Sequence, residues 1–226
     1  MYKAGEVTKV FFGKISGSSK WVGKDNKYDF LSDLFLIYSS AIKEISTKLE
    51  ILDGEFQIKR KRNPIEHMKS RVKSPESVED KLRKKGKKFT IENARSSLCD
   101  IAGIRVVCSF VSDIYEVAKM LKCQNDLIVI EEVDYIKNPK VNGYRSLHLV
   151  LEVPVFFSSH TDNVRVEVQI RTIAMDFWAS LEHKLRYKVQ ERIPRYITDD
   201  LKACADVISL TDERMQRIHD ALEEYD

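Results

Sequence analysis

The stretch Val164-Arg-Val-Glu-Val-Gln-Ile-Arg171 limits the fold more than any other part of the chain. Four β-branched residues alternate with four polar or charged ones, a period of two that suits a strand and not a helix. Val164, Val166, Val168 and Ile170 then share a packed face, with Arg165, Glu167, Gln169 and Arg171 together on the other. A sheet built on such a strand is covered on one side. A merely wet face gives the same pattern, so alternation alone does not distinguish chemistry from solvent.

A second strand follows the turn signal Asn142-Gly143, with Leu147, Leu149 and Leu151 inward and Tyr144, Ser146 and His148 outward. Fully extended, Tyr144 and His148 stand roughly 13 Å apart, a span suited to a flat base at one end and a phosphate at the other. Ile104 to Phe110 reads as a third strand, packing Ile104, Val106, Cys108 and Phe110 and leaving Arg105 opposite. Leu127 to Tyr135 reads as a fourth. Helical spacing marks Asp29–Leu52, closed by Asp53-Gly54, then Phe89–Leu98, Asp113–Leu121, a helix capped by Thr172 and running to about Val189, and a last helix from Thr198. The order predicts an α/β (α+β) mixed sheet with helices on one side and a face open to ligand on the other. Residues 1–27 form a lead-in without periodicity, 28–190 the main domain, and 191–226 a helical extension. The stripe Leu201, Ala205, Ile208, Met215, Ile218 and Leu222 on that extension fits both cover for its own domain and contact with a second subunit.

Charge is unevenly spread. Lys59 to Arg95 holds 14 Lys and Arg against 5 Asp and Glu in a chain of net charge +3. A polyanion is the expected neighbour, although a solvated basic face gives the same count. Within this segment Ser74 is a good N-cap, Pro75 suits the first helical position, and Ser77 and Lys81 lie one turn apart just beyond Arg71 and Lys73. Cations, a hydroxyl and free N–H groups at a helix start form an anion site, or simply a capped helix. The four cysteines lack metal-ligand spacing and read as reduced. No apolar run reaches the roughly 20 residues of a membrane span, so the expectation is a cytoplasmic protein. Glu182-His183 is not a zinc pair, whose ligands stand one turn apart, and is expected to be structural; His219-Asp220 is expected at the surface.

Five motifs, in order, resemble the synthetase domain of the RelA/SpoT-type alarmone synthetases, in the short stand-alone form called small alarmone synthetase. They are Arg71-x-Lys73-x-x-x-Ser77-x-x-x-Lys81, Asp100-x-x-Gly-x-Arg105, Asn142-Gly-Tyr-Arg-Ser-Leu-His148, Glu167-x-Gln-Ile-Arg-Thr172 and Trp178-Ala-x-x-Glu-His183, spanning roughly residues 60–190. The resemblance implies a nucleotidyltransferase-like, mainly five-stranded sheet with a long C-terminal helix, and transfer of the β,γ-pyrophosphate of ATP to the 3′-hydroxyl of GDP or GTP, giving ppGpp or pppGpp and AMP in stringent-response signalling. It implies that Lys73, Ser77 and Lys81 hold the ATP phosphates, with Arg71 and Arg105 against the adenine. Asp100 and Glu167 would ligate Mg²⁺, Glu167 being base, ligand or both. Tyr144 would stack on guanine, Lys140 and His148 would bind acceptor phosphates, and Gln169 would contact the guanine nucleotide. A homo-oligomer, a tetramer by resemblance, is implied as well. Val141 replaces the second proline of the family's Asn-Pro-Lys-Pro-Asn-Gly loop. With no histidine before His67, the upstream His-Asp hydrolase site of the long members is not expected, and synthesis without hydrolysis is. Two rivals stand beside this reading: a single-stranded RNA-binding module, which leaves Asp100 and Glu167 without a task, and a nucleotidyltransferase releasing pyrophosphate.

Overall fold

The alternating strand lies in the middle of the sheet. A computed structural model describes residues 25–188 and 194–224, whose five strands run in the order β1-β2-β5-β4-β3. They are β1 (Ile65–Val72), β2 (Ala102–Cys108), β3 (Ile128–Asp134), β4 (Leu147–Phe156) and β5 (Thr161–Thr172). β5 is parallel to β2 and antiparallel to β4, and the two edge pairs are antiparallel. The inward residues of β2, β4 and β5, including Ile104, Val106, Leu147, Leu149, Leu151, Val166, Val168 and Ile170, are all but fully buried. They pack beneath α1 (Asp25–Arg60) and α4 (Val111–Lys122), which contribute Tyr38, Ile45, Leu49, Ile114, Val117 and Leu121. Of the lead-in 1–27, residues 1–24 lie outside the described residues, and α1 begins at Asp25.

Four expectations need correction. α1 does not stop at Asp53-Gly54: Leu52 and Phe56 continue its buried stripe, while Asp53 accepts hydrogen bonds from Asn63 Nδ2 at 2.5 Å and Ile65 N at 3.1 Å instead of ending the helix. β1 is a strand that the sequence did not announce. It is an edge strand with only Ile65 buried, so alternation never imprints on it. Phe110 lies outside β2 and stacks on His219, ring centroids 4.2 Å apart, so His219 is held against the body and not merely at the surface. β4 begins at Leu147, not Tyr144, with a consequence taken up below.

Helices α2 (Pro75–Lys84) and α3 (Ile91–Ser97) start at Ser74 and Thr90, each accepting a backbone N–H in its first turn. α5 (Ile173–Lys188) opens with Thr172 Oγ1 accepting Met175 N at 3.1 Å. It lies over one end of β2 and β5, where Val107 and Arg171 are buried on the outer face, while Arg105, His148, Glu167 and Gln169 on that face stay half-buried. α6 (Arg195–Glu223) straps the molecule. Leu201, Ala205 and Ile208 meet Trp178 and Ala179; Thr172 Oγ1 donates to Asp212 at 2.6 Å; and Gln216 exchanges hydrogen bonds with Ser112.

Candidate active site

Register sets the outer face. Lys69 pairs with Arg105, Arg105 with Gln169, and Gln169 with His148, so these four positions stand abreast across four strands. One step along each strand on the same face, Arg71, Gly103 and Glu167 form a second row. The middle of that row has no side chain, and a cleft of about 230 Å³ opens there, lined by Lys69, Arg71, Asp100, Gly103, Arg105, Glu167 and Gln169 among others. Asp100 reaches it from the turn before β2, and Glu167 from the sheet's central strand. Two carboxylates 67 positions apart in sequence thus share one cavity.

Cations gather at the mouth. Lys73 N donates to Ile101 O at 2.8 Å, holding the β1–α2 junction beside the Asp100 turn. Asp100 Oδ2 then pairs with Lys73 Nζ at 2.5 Å and with Lys81 Nζ. Burial opposes the charge on Asp100, but the two ammonium groups outweigh it and hold the carboxyl below its usual range. Ser77 is exposed one turn before Lys81, with its hydroxyl 3.0 Å from that of Ser74. Ser77, Lys81 and the first turn of α2 therefore present hydroxyl, ammonium and backbone donors on one side of the cleft.

On the other side Tyr144 and His148 are not separated by 13 Å. The tyrosine hydroxyl lies 2.8 Å from His148 Nε2, and the ring centroids are 5.8 Å apart. The chain before β4 is a turn: Gly143 N donates to Lys140 O at 2.8 Å and Lys140 N to Tyr144 O at 3.1 Å. Tyr144 therefore does not continue the strand. Ser146, expected outward, is fully buried and donates to Ile170 O at 3.2 Å. Lys140 Nζ sits 4.8 Å from the centre of the Tyr144 ring and 4.4 Å from that of Tyr135. Asn142 donates to Glu182 at 3.2 Å, giving that glutamate the structural contact expected of it.

A closed circuit joins this shelf to the cleft. Arg171 Nη2 donates to Tyr144 Oη at 2.5 Å and to Gln169 Oε1 at 2.7 Å. With the imidazole proton assigned to Nδ1, Tyr144 donates to His148 Nε2 and His148 Nδ1 faces Glu167 Oε1 at 3.3 Å, while Gln169 Nε2 donates to Glu167 Oε2 at 2.8 Å. Both arms of donors start at Arg171 and end on Glu167. Burial resists ionisation of Glu167, yet the bonds from His148 and Gln169 prevail and keep its carboxyl below the usual range. Burial also raises the Tyr144 phenol, which stays protonated and able to donate. Arg105 lies near the second guanidinium. Its pKa is lowered, first by burial and then by the charge of Arg171, with Asp176 opposing.

Of the expected site residues, Arg71, Asp100, Arg105, Glu167 and Gln169 line the cleft, Lys73 and Lys81 reach it through Asp100, and Tyr144 and His148 join it through Glu167. Ser77 stands one turn before Lys81, and Lys140 lies by the Tyr144 ring beside a separate cavity. Three further residues join them. Arg171 was visible as the last outward residue of β5, but nothing in the sequence showed its burial. Asp176 carries no motif signal. Tyr135 approaches the site only because β3 pairs with β4, setting Val133 opposite His148. Among the described residues no group of three or more His, Cys, Asp and Glu could hold a metal alone. Two carboxylates in one cleft still fit Mg²⁺, which commonly takes one or two carboxylates and completes its shell with waters and substrate phosphates.

Residues 70–192 match the model of a region found in RelA and SpoT proteins. The chain is 48% identical over 180 residues to the GTP pyrophosphokinase YwaC of Bacillus subtilis, covering 80% of this chain and 86% of that protein. The crystal structure of small alarmone synthetase 2 from the same organism superposes with a TM-score of 0.76 at 46% identity, over 83% of this chain and 97% of that one. Small alarmone synthetase 1 bound to its product pppGpp gives a TM-score of 0.78 at 35% identity, over 87% and 98%.

Proposed function

The chain belongs to the RelA/SpoT family, and we propose that it is a small alarmone synthetase, a GTP pyrophosphokinase that moves the β,γ-pyrophosphate of ATP onto the 3′-hydroxyl of GDP or GTP. The products are ppGpp or pppGpp and AMP, and the reaction serves stringent-response signalling. One observation carries the reading beyond family membership. Asp100 and Glu167 share a cleft that has a lysine-lined mouth on one side and the Tyr144 shelf on the other.

ATP enters on the α2 side. Lys73, Ser77 and Lys81 take its phosphates, which compete with Asp100 for the two ammonium groups, and Arg71 and Arg105 flank the adenine. The guanine nucleotide lies on the other side, its base against Tyr144, its phosphates toward Lys140 and His148, and Gln169 at its edge. Glu167, kept ionised by its hydrogen bonds, takes the proton of the 3′-hydroxyl. That oxygen forms a bond to the β-phosphorus as the bond from the β-phosphorus to the bridging oxygen breaks and AMP departs. Lys73 and Lys81 offset the charge gathering on the phosphates. Asp100 and Glu167 would hold Mg²⁺, which supplies charge neutralisation to the phosphate oxygens. The enzyme acts in the cytoplasm and self-associates through apolar side chains that its own fold leaves exposed on α5 and α6. Among the described residues no helix is long and apolar enough to cross a membrane.

The test is product analysis with ATP, GDP and Mg²⁺. AMP and ppGpp should appear in equal amounts, and release of free pyrophosphate would point to a nucleotidyltransferase instead. Glu167→Gln is expected to lower turnover by about 10²-fold or more. Turnover at the normal rate in that variant would remove Glu167 from the mechanism.

A further inference from the structure

The two substrate sides meet at a residue to which neither motif nor mechanism assigns a part. Asp176 stands in the first turn of α5, behind the cleft, its side chain 12% exposed. Its Oδ1 pairs with Arg105 Nη1 at 3.0 Å and with Arg171 Nη1 at 3.3 Å. Arg105 reaches forward to line the cleft, and its Nη1 is 3.5 Å from Ser180 Oγ. Arg171 reaches forward to Tyr144 and Gln169, while its Nε meets Ser146 Oγ at 3.3 Å.

We propose that Asp176 is a positioning residue that sets the ATP-side arginine and the guanine-side tyrosine through one carboxylate oxygen. This rests on reading Arg105 and Tyr144 as donor-side and acceptor-side residues. Two guanidinium groups on a single oxygen repel each other and stay in place only while the carboxylate is between them. Arg171 has no room to swing out, its side chain being 4% exposed, so a displacement of its Nη1 is passed to Nη2 and hence to the tyrosine hydroxyl. Arg105, at 35%, has room and would turn into the cleft where adenine is to lie. Remote from the phosphates, Asp176 acts by fixing the geometry of both binding surfaces.

The experiment uses the full chain with Asp176→Asn, which keeps the shape and removes the charge. A non-hydrolysable ATP analogue and GDP are titrated separately by calorimetry with Mg²⁺ present, and folding is followed by thermal melting. Both dissociation constants should rise about five-fold or more. Arg105→Lys should weaken the ATP analogue alone, and Arg171→Lys should weaken GDP alone. A purely structural role would lower the binding stoichiometry and leave both constants unchanged. That result, or a rise in only one constant, overturns the bridge. Should Asp176→Asn not fold, Asp176→Glu keeps the charge and displaces the oxygen; a smaller rise in both constants supports the bridge and no rise in either overturns it. If Arg105→Lys spares the ATP analogue and Arg171→Lys spares GDP, the assignment of the two sides fails, whatever Asp176 does.

Discussion

At position 103 an outward side chain would stand in the cleft between Arg71 and Glu167, yet a Cβ there meets nothing closer than Arg71 O at 4.0 Å. Gly103→Leu should therefore fold, with a melting temperature no lower than that of the parent, and lose about 10²-fold or more in product formation because the reactants are pushed apart. Full activity in that variant would mean that the substrates do not use the cleft. Gly143 is glycine for a different reason. Its φ is +89°, and a Cβ would fall 2.6 Å from that of Ala205. Gly143→Ala should destabilise the chain by about 1–3 kcal/mol and raise the KM for GDP more than that for ATP, as read by melting and by initial rates, since the turn carries Tyr144. The glycine of Asn142-Gly143 was legible as a turn from its neighbours. The close approach of Ala205 was not, because the two residues come together only through tertiary packing. Arg171 and Asp176 were hidden for a similar reason: an arginine on the outward face of a strand reads as solvated until a helix is known to cover it.

Among the elements, β2, β4 and β5 were readable because each has one dry face and one wet one, and that difference is written directly as alternation. β1 has almost no dry face and so left no trace, although it carries Lys69 and Arg71 to the cleft. Periodicity shows the α6 stripe, whose Leu201, Ala205 and Ile208 meet Trp178 and Ala179, but not the polar contacts that fasten the rest of the helix. The buried Asp212 is one of them. Burial raises its carboxyl above the ordinary range, against the hydrogen bond from Thr172. A raised folded pKa gives stability that is complete below the unfolded value and is lost as pH climbs through the folded one. At pH 7 the charge is therefore a cost. Asp212→Asn, which can still accept from Thr172, should raise the melting temperature by about 2–4 °C at pH 7, with the gap narrowing toward pH 4 as the parent protonates. A gap that is constant with pH would show that this carboxyl does not titrate with folding.

Viewed whole, the molecule leaves Ile173, Phe177, Leu181 and Leu185 exposed along one side of α5, and Leu210, Ile218 and Leu222 on α6. Charge placed in the first stripe should separate subunits without touching the cleft. Phe177→Glu is expected to reduce a multimer to the 26.3 kDa chain by light scattering, and a parent already of that mass would refute self-association through this stripe. α6 has a further consequence. Gly143 abuts Ala205, while Arg145 reaches Ala205 O at 3.3 Å and Asp206 at 3.2 Å, so the turn before β4 leans on residues that follow it by some sixty positions. As the ribosome extrudes the protein, every residue that lines the cleft, from Lys69 to Gln169, emerges before the support for that turn. A chain cut before α6 is therefore expected to lose the support of the Gly143–Arg145 turn while the sheet that bears Asp100 and Glu167 is already complete in sequence.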